Sequence, residues 1–547
     1  MVNTNIIIES IVQFIPGIML YAELHYRFRF SDSRYYQNEP EILADIPIRI
    51  EPNNDLPVLL IIKDAHLFPV TLHEVKVLIY QSSKLIQSHN YPFQITIDSN
   101  WWDNMILIKT DKCYGNIDID VQFSYEVNRI NKICNIHNYP LSSSKYLTTY
   151  ISKYPFPNDG NVIYGDLHYH SNLTDDMVEF GAPLKATLRI ARSMGLDFFC
   201  NTDHSYDLDD KPGSWNETDP TLEKWNNSRE HINELNMDSS SSNFIIPSEE
   251  LSLHNLDGRN IHALILNNRG FLPGSGDSVE RPFDRRSDYN THTVHEILDN
   301  DSLCIAAHPF TSVPLLQWIF LKRGKWHNKD ILHANMMGIQ ILNGAADKAY
   351  YKGLSIWIKL LLKGYHKFIY AGNDAHGNFN VYRQIKVPMI SLYEKSEQLF
   401  GQFRTGVICK DNKRNVQSAV TAMKSGKCFV TNGPFIRMTY NKNDSIYEMG
   451  SAIQSNYGFL NIYILSSQEF GKIKKIVIKK GIIGNNIERD CFTIINPQTY
   501  ELKEQLTIYT DHDSYYRCEV ELELNGGMQL FALTNPIWIK PIDEKYR

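Results

Sequence analysis

The chain contains 547 residues, of which 43% are hydrophobic and 21% are charged, and its formal net charge is −7. This is the composition of a globular protein, and it excludes a disordered, collagen-like or fibrous chain. The excess of acidic residues argues against a binder of long nucleic acids, because such proteins need a basic face for phosphate contacts. At roughly 150 residues per domain, the length predicts about three to four domains.

The first 24 residues are apolar enough to resemble a targeting or membrane segment. They lack the positively charged residues with which a signal peptide begins, and Glu9, Gln13 and Pro16 interrupt the apolar run. They therefore predict neither a signal peptide nor a membrane span. The eight cysteines are scattered without a CxxC pair, which is typical of reduced, buried thiols. We therefore expect a cytoplasmic protein with no membrane partner.

The next part of the chain contains segments in which apolar and polar residues alternate. In EVKVLIY (74–80) and IDIDVQFSYEV (117–127), every second residue is apolar, which indicates strands with one buried face. A Pro-, Gly- and Asn-rich piece, YPFPNDGN (154–161), then provides a plausible boundary. The pattern predicts an N-terminal β-sandwich domain over residues 1–155.

The middle of the chain has a different pattern, in which short apolar runs end abruptly in polar residues. The seven runs are NVIYGDLHYH (161–170), DFFCNTDH (197–204), NFIIPSEE (243–250), NIHALIL (260–266), LCIAAHPF (303–310), MGIQILNG (337–344) and FIYAGNDAH (368–376). Helix-like stretches lie between several of them, at 183–195, 221–235 and 291–300. Strands that alternate with helices predict a parallel sheet. We therefore expect a closed β/α barrel over 156–430, with its chemistry at the carboxyl ends of the strands.

Alternating segments return after residue 430. YYRCEVELEL (515–524) and FLNIYIL (459–465) again indicate half-buried strands. A second β-sandwich over 431–547 is the natural prediction. The segment SVPLLQWIFLKRGKW (312–326) is aromatic, apolar and basic, and an amphipathic helix packed on the barrel is favoured over a cap on the pocket.

Histidines concentrate in the middle region, which holds 13 of the 19 between residues 160 and 380. Those at strand ends are His168, His170, His204, His262, His308 and His376, with Asp175, Asp203, Glu250 and Asp374 nearby. Imidazole and carboxylate are the ligands of zinc, manganese or iron, and HxH on a strand points both rings to one face. Each of these motifs also occurs in proteins without a metal there, for example as a turn or as a solvated pair of acidic residues. All seven runs together favour a metal site.

The ordered motifs HxH (168–170), TDH (202–204), PxxE (247–250), IHAL (261–264), AHP (307–309) and NDAHG (373–377) resemble the PHP (polymerase and histidinol phosphatase) metallohydrolase superfamily. GQFRTGV (401–407), TNGPF (431–435) and ALTNPIWI (532–539) are similar to its carbaryl-hydrolase-like (CehA/McbA) branch. The resemblance spans residues 163 to about 380. It implies a distorted (β/α)7 PHP barrel, here flanked by the two β-sandwich domains.

The resemblance also implies two or three divalent ions, of zinc, manganese or iron. The first would be held by His168, His170, Glu250 and Asp374, the second by Glu250, His262 and His308, and the third by Asp175, His204 and His376. The chain departs from the family pattern at three points. No histidine lies beside Asp175, Ser248 stands where the family has glycine, and Gln340 stands where an acidic residue is expected.

The function implied is a metal-dependent hydrolase in which a metal-activated hydroxide attacks a small-molecule phosphoester. His204, Asp374 and His376 are the candidate catalytic residues, and Asp203 is expected to orient its neighbours. Arg383 and Arg404 are candidate clamps for a substrate anion, with structural ion pairs as the alternative. A carboxyl-ester or carbamate hydrolase with the same metal site, and a noncatalytic ligand-binding module, remain as alternatives. The sequence leaves the oligomeric state open.

Overall fold

The computed structural model describes residues 39–110, 113–138, 145–174, 181–212, 217–238, 242–274, 287–313, 315–320, 322–333, 335–380, 398–409, 414–523 and 529–542. Strands account for 46% of the structure and helices for 15%. The molecule is therefore built mainly from sheets. The apolar N-terminal segment discussed above lies outside the described residues.

The N-terminal part consists of two sheets that pack around a shared core. Its strands are β1 (Glu41–Asp45), β2 (Arg49–Ile50), β3 (Leu56–Lys63), β4 (Val70–Gln81), β5 (Lys84–Ile97), β6 (Trp101–Ile108), β7 (Gly115–Val127), β8 (Ile130–Asn135) and β9 (Leu147–Ile151). One sheet has the order β1-β3-β6, and the other has the order β2-β9-β7-β4-β5, with β8 paired to β7. Most of the buried apolar residues of the two sheets form one cluster, whereas Leu43, Leu59 and Ile61 of β1 and β3 belong to a second cluster shared with the middle strands.

Each of the seven apolar runs in the middle of the chain forms a strand. These are β10 (Val162–Tyr169), β11 (Phe198–Asn201), β12 (Phe244–His254), β13 (Asn260–Leu266), β14 (Leu303–Ala306), β15 (Met336–Asn343) and β16 (Phe368–Gly372). The helices between them are α1 (Leu184–Ser193), α2 (Ser205–Leu208), α3 (Glu223–Met237), α4 (Leu315–Phe320), α5 (Asn328–Leu332) and α6 (Lys348–Leu362).

Two of the three predicted helices are confirmed, since α1 and α3 overlap 183–195 and 221–235. The helix predicted over 291–300 is wrong. Only a 3-10 turn, Val294–Glu296, forms there. The side chain of Asn290 accepts hydrogen bonds from the backbone N–H groups of His292 and Thr293, which favours a turn over a helix.

The expected (β/α)7 barrel is wrong. Neighbouring strands from β10 to β12 and from β14 to β16 are parallel, but β12–β13 and β13–β14 are antiparallel. The chain turns directly from β12 into β13 through residues 255–259. An apolar run shows that a strand is buried but not which way it points, so the parallel, helix-rich arrangement did not follow from the pattern.

The C-terminal strands continue the same sheet instead of forming a separate sandwich. They are β17 (Arg404–Ile408), β18 (Cys428–Thr431), β19 (Phe435–Lys442), β20 (Ser445–Glu448), β21 (Ala452–Gln454), β22 (Tyr457–Leu465), β23 (Ile473–Ile482), β24 (Arg489–Ile495), β25 (Glu501–Tyr509), β26 (Ser514–Leu522), β27 (Phe531–Thr534) and β28 (Ile537–Lys540), with α7 (Val416–Lys424) after β17. The long sheet runs in the order β16-β15-β14-β13-β12-β11-β10-β17-β18-β27-β26-β23-β24. A smaller sheet, β20-β19-β22-β25, packs nearby.

Core packing explains why the sheet is continuous. Ile305 and Ile369 from the middle strands share one buried cluster with Tyr515 and Leu533 from the C-terminal strands. β18 itself crosses the boundary predicted after residue 430, and the sheet has no break there. None of the helices in the described part of the chain combines the length and apolar character needed to cross a bilayer.

Candidate metal centre

The candidate site lies where the long sheet curls and its strands β10 and β16 approach each other. The backbone N–H of Asp374 donates to the carbonyl of His168 over 2.9 Å, and the N–H of His170 donates to the carbonyl of Ala375 over 2.9 Å. These bonds tie the segment after β16 to the end of β10. They bring together side chains that are about 200 residues apart in the chain.

Local backbone features set the approach of these segments. Asp374 and His308 have φ angles of 55° and 27°. Residues other than glycine seldom adopt this backbone conformation, which often occurs at functional sites. Gly372 lies against β10, where an added Cβ would come within 2.7 Å of the His168 Cβ and 2.8 Å of its backbone nitrogen. Only glycine permits this close approach.

Four side chains converge most tightly. The His168 Nε2 atom lies 3.1 Å from the His170 Nε2 atom, 3.2 Å from Glu250 Oε2 and 3.1 Å from Asp374 Oδ1. His170 Nε2 lies 3.3 Å from each of the same two carboxylate oxygens. We call these four residues the tetrad. Their ligand atoms lie within 4.8 Å of one another, as binding to a single ion requires.

Two further groups adjoin the tetrad. His204, Glu250 and His262 form one, in which Glu250 Oε2 lies 3.2 Å from His204 Nδ1 and Glu250 Oε1 lies 2.7 Å from His262 Nδ1. His170, His204 and His376 form the other, with the rings of His170 and His376 stacked 4.1 Å apart. Each group has the composition of a metal site, and the three share Glu250, His170 or His204.

His308 joins the cluster from β14. Its Nε2 atom lies 3.0 Å from Glu250 Oε1, and its ring stacks on that of His168 with centroids 5.6 Å apart. The structure thus brings together eight of the nine residues predicted as metal ligands. The ninth, Asp175, lies outside the described residues.

The charges of the cluster suit metal binding. Burial would raise the pKa of Glu250, but His262, His168 and His204 hold it well below its usual range. Burial would likewise raise the pKa of Asp374, and His168 and His170 hold it low. Burial lowers the pKa of His204 well below 6.5, although Glu250 opposes that shift. Burial would lower the pKa values of His168 and His170, but Asp374 and Glu250 raise them. The ionised carboxylates and the neutral ring of His204 can bind a cation directly, and a cation at the tetrad would displace protons from His168 and His170.

Several buried polar atoms also fit a cation. Glu250 Oε2, His170 Nδ1 and both ring nitrogens of His204 are buried and have no hydrogen-bond partner of normal geometry in the described part of the chain. Buried polar groups are normally satisfied. Metal–ligand bonds of about 2.0–2.2 Å put the atoms of a tetrahedral site roughly 3.3–3.6 Å apart, close to the spacings in the tetrad. The residues present therefore fit a divalent ion.

A chain of neutral amides supports the tetrad from outside. Gln340 Oε1 lies 3.0 Å from His168 Nδ1, and its Nε2 donates to Asn343 Oδ1 over 2.7 Å. Asn343 in turn donates to Asp374 Oδ2 over 3.1 Å, as does Gln398 over 3.2 Å. By accepting from Nδ1–H, Gln340 directs the lone pair of His168 Nε2 toward the tetrad. The amide that departs from the family pattern thus positions a ligand.

Replacing Gln340 with leucine should weaken metal binding by about 10- to 100-fold, the usual effect of losing a partner that orients a ligand. A Gln340→Glu variant retains the acceptor and adds charge, so its affinity should equal or exceed that of the wild type. Competition with a coloured chelator measures both. Gln505→Leu, on the exposed face of β25, is the control. Unchanged affinity in a folded Gln340→Leu protein would contradict this role.

Glu249 and Glu250 point in opposite directions, as neighbours on a strand do. Glu249 accepts hydrogen bonds from Arg229 over 3.0 Å, from the indole of Trp225 over 2.9 Å and from Ser205 over 3.0 Å. Asn268 donates to it as well. The structure therefore puts Glu250 among the histidines and leaves Glu249 in a buried network beneath them.

Two aspartates shape the backbone around the site. Asp203, expected to orient its neighbours, accepts from the backbone and the hydroxyl of Ser171 over 2.6 and 2.7 Å and holds the loop after His170. Asp166, which the sequence analysis did not single out, is fully buried and accepts from the side chain of Asn373 over 2.7 Å. Its position two residues before His168, on the same face of β10, was the available signal.

The predicted substrate arginines do not join the cluster. Arg383 lies outside the described residues. Arg404 is buried, with its guanidinium donating to the carbonyls of Gly401 and Met194, each over 3.0 Å. It also stacks 4.1 Å over the ring of Phe156. A different arginine, Arg323, reaches the site, where its Nη1 atom lies 2.6 Å from His262 Nε2. The only signal for it was the basic end of the segment 312–326.

The chain matches no protein-family model and no curated protein. Solved structures that it matches include a beta-glucuronidase from Bacteroides uniformis, at 10% identity and a TM-score of 0.19 over 92% of this chain and 61% of that one. A beta-D-mannosidase from Dictyoglomus thermophilum matches at 9% identity and a TM-score of 0.23, over 91% and 67%. The chain thus spans about three fifths of the glucuronidase. Likeness at this level supports no conclusion about the fold or activity of this chain.

Proposed function

We propose that this protein is a metal-dependent hydrolase and that its substrates are small phosphoesters. The single observation that supports the metal-dependent part is the tetrad, in which two imidazole nitrogens lie 3.1 Å apart and each lies 3.1–3.3 Å from an oxygen of both carboxylates. A buried group of this composition has no evident structural purpose, since close-packed apolar side chains would stabilise the same space better.

In this proposal, His168, His170, Glu250 and Asp374 hold the ion, which suits zinc, manganese or iron. When bound, such an ion makes water nucleophilic at neutral pH and stabilises the negative charge that develops on the substrate. Hydrolysis is the reaction that this chemistry serves most directly. The preference for phosphoesters comes from the resemblance of the ordered motifs to PHP metallohydrolases.

Exposure indicates where a substrate would enter. The side chains of Asp374 and His308 are 13% and 14% exposed, whereas those of His168, His170 and Glu250 are at most 1% exposed. A substrate would therefore approach past Asp374 and His308. A proton donor must lie within hydrogen-bond reach of the leaving group. Because His308 lies on the side from which the substrate approaches, it is the histidine best placed to exchange a proton with that group.

Asp374 is oriented for this entry side. Its Oδ2 atom accepts from Asn343 and Gln398, while its Oδ1 atom faces His168 and His170. The carboxylate is therefore fixed before any substrate binds, which lowers the cost of organising the site during reaction. The roles predicted for His204 and His376 in proton transfer remain predictions.

The proposal is tested by assaying four substrates side by side. Chelator-treated protein is reconstituted separately with Zn²⁺, Mn²⁺ or Fe²⁺ and given a chromogenic phosphodiester, a phosphomonoester, a carboxyl ester and an aryl carbamate. Phosphoester turnover should appear in the wild type and fall to the metal-free level in His168→Ala. His231→Ala is the matched control, because His231 is exposed on α3 near Glu234.

Other outcomes would overturn part or all of the proposal. Turnover of the ester or carbamate alone would replace phosphorus chemistry with carbonyl chemistry at the same residues. Metal bound at full occupancy without any turnover would favour a ligand-binding module over an enzyme.

A further inference from the structure

The short helix α4 turns an apolar face to solvent. Its residues Leu315, Trp318 and Ile319 are 70%, 46% and 49% exposed, and their spacing of three and four residues puts them on one side of the helix. We call these three side chains the apolar patch. The amphipathic helix expected to pack inward over 312–326 therefore presents three large apolar groups outward, and exposed groups of this kind mark surfaces that bind a partner.

The hairpin between β12 and β13 holds the apolar patch in place. The guanidinium of Arg259 lies 3.9 Å from the centroid of the Trp318 ring, and its Nη1 atom donates to the Trp318 carbonyl over 2.8 Å. The N–H of Asn260 donates to the carbonyl of Lys322 over 2.9 Å, and the N–H of Gly324 donates to the carbonyl of Asn260 over 2.7 Å. Because the helix is fixed before a partner arrives, binding there costs little ordering.

The segment that carries the apolar patch is basic, although the whole chain has a net charge of −7. Residues 302–329 include neither Asp nor Glu, and their basic residues are Lys322, Arg323, Lys325 and Lys329. The three lysines are exposed, and none of them forms an ion pair within the described part of the chain. On the adjoining hairpin, Asp257 pairs with His327 over 2.7 Å. The surplus positive charge beside the patch therefore suits an anionic surface.

Apolar side chains next to exposed lysines fit a lipid surface better than a protein surface. Lysine is depleted in protein–protein interfaces relative to the rest of the surface. At a bilayer surface the two features cooperate, because leucine, isoleucine and tryptophan enter the interface while lysines meet anionic headgroups. We propose that the apolar patch and its lysines dock this protein on an anionic lipid surface. Such a contact needs no spanning segment, and it departs from the expectation of no membrane partner.

The docking segment adjoins the candidate metal centre at both ends. His308, which precedes the patch in the chain, lies 3.0 Å from Glu250, and Arg323, which follows it, lies 2.6 Å from His262. Lipid bound at the patch would therefore lie near the centre, and phospholipid headgroups are phosphoesters, the proposed class of substrate. Docking itself does not depend on the proposed activity, so either can fail without the other.

Sedimentation with vesicles tests the docking surface. Full-length protein is mixed with vesicles of phosphatidylcholine alone, or of phosphatidylcholine with phosphatidylserine. The wild type should bind the mixed vesicles, and more strongly at low salt. Leu315→Gln/Ile319→Gln should weaken this binding about 10-fold or more, and Lys322→Gln/Lys325→Gln about 10- to 30-fold. Ile133→Gln is the matched control, since Ile133 is exposed on β8.

Three results would overturn the proposal. One is a wild type that stays in solution with the mixed vesicles. Another is binding by Leu315→Gln/Ile319→Gln that equals that of the wild type; if that variant fails to fold, undiminished binding by the lysine variant has the same meaning. The third is a wild-type dimer that binds no vesicles and that Leu315→Gln/Ile319→Gln dissociates, because the patch would then serve a second copy of this chain.

Discussion

A Glu250→Gln variant is expected to bind zinc or manganese more than about 100-fold more weakly than the wild type, a larger loss than that for a partner that only orients a ligand. Glu250 contributes to two of the three groups that could hold an ion, and its oxygens lie within 3.3 Å of five histidine nitrogens. Removing its charge takes away the carboxylate that all five nitrogens contact, and Asp374 contacts only two of the five rings, those of His168 and His170. Chelator competition measures the affinity.

The neighbouring Glu249→Gln variant is the matched control. It removes the same charge from the same strand, but from the side that faces Arg229 and Trp225. It should bind as many metal ions as the wild type, while its free energy of unfolding should fall because the buried guanidinium of Arg229 loses its carboxylate partner. Loss of metal from Glu249→Gln with retention in Glu250→Gln would reverse the assignment.

An Asp166→Ala variant is expected to lose about 3–5 kcal/mol of unfolding free energy. The carboxylate accepts from the backbone N–H groups of Asn373 and Gly401 over 3.1 and 2.9 Å and from the Asn373 side chain. The substitution leaves several buried donors without an acceptor, and each such loss costs about 1–3 kcal/mol. Denaturant unfolding measures the loss. Asp118→Ala, on an exposed part of β7, should change stability little.

Asp166 also predicts a pH dependence. Burial raises its pKa from 3.8 to about 6, so between about pH 6 and pH 4 the native state binds a proton that the unfolded state does not. This group therefore adds stability as the pH falls through 6, and the contribution is lost as the pH rises through 6. This rise in unfolding free energy as the pH falls from about 6 to about 4 should be present in the wild type and absent in Asp166→Ala. Equal slopes would show that another group is responsible.

The sequence predicted the strands well and their arrangement poorly. The runs at 161–170 and 368–376 form β10 and β16, because burial of both strand faces leaves a continuous apolar stretch that local sequence reveals. The relation between strands depends on partners elsewhere. The hairpin between β12 and β13 and the joining of β17 to β10 are decided by pairing and core packing, which no single stretch encodes.

The site shows the same division. The residues at strand ends, such as His168 and Asp374, were identifiable because each follows an apolar run directly. Except for Asp203, their supporting partners were not singled out. Gln340 lies 172 residues from the histidine it orients, and Asp166 lies 207 residues from Asn373. Arg323 gave only the signal of a basic helix end.

By itself, the sequence determined which segments are strands and which imidazoles and carboxylates follow them, because burial and period-2 alternation act over a few neighbouring residues. The tertiary structure alone decided that the sheet continues into the C-terminal strands and that Arg323 meets His262. These outcomes depend on hydrogen bonds and charges between segments distant in the chain, and such contacts exist only once the sheet has curled.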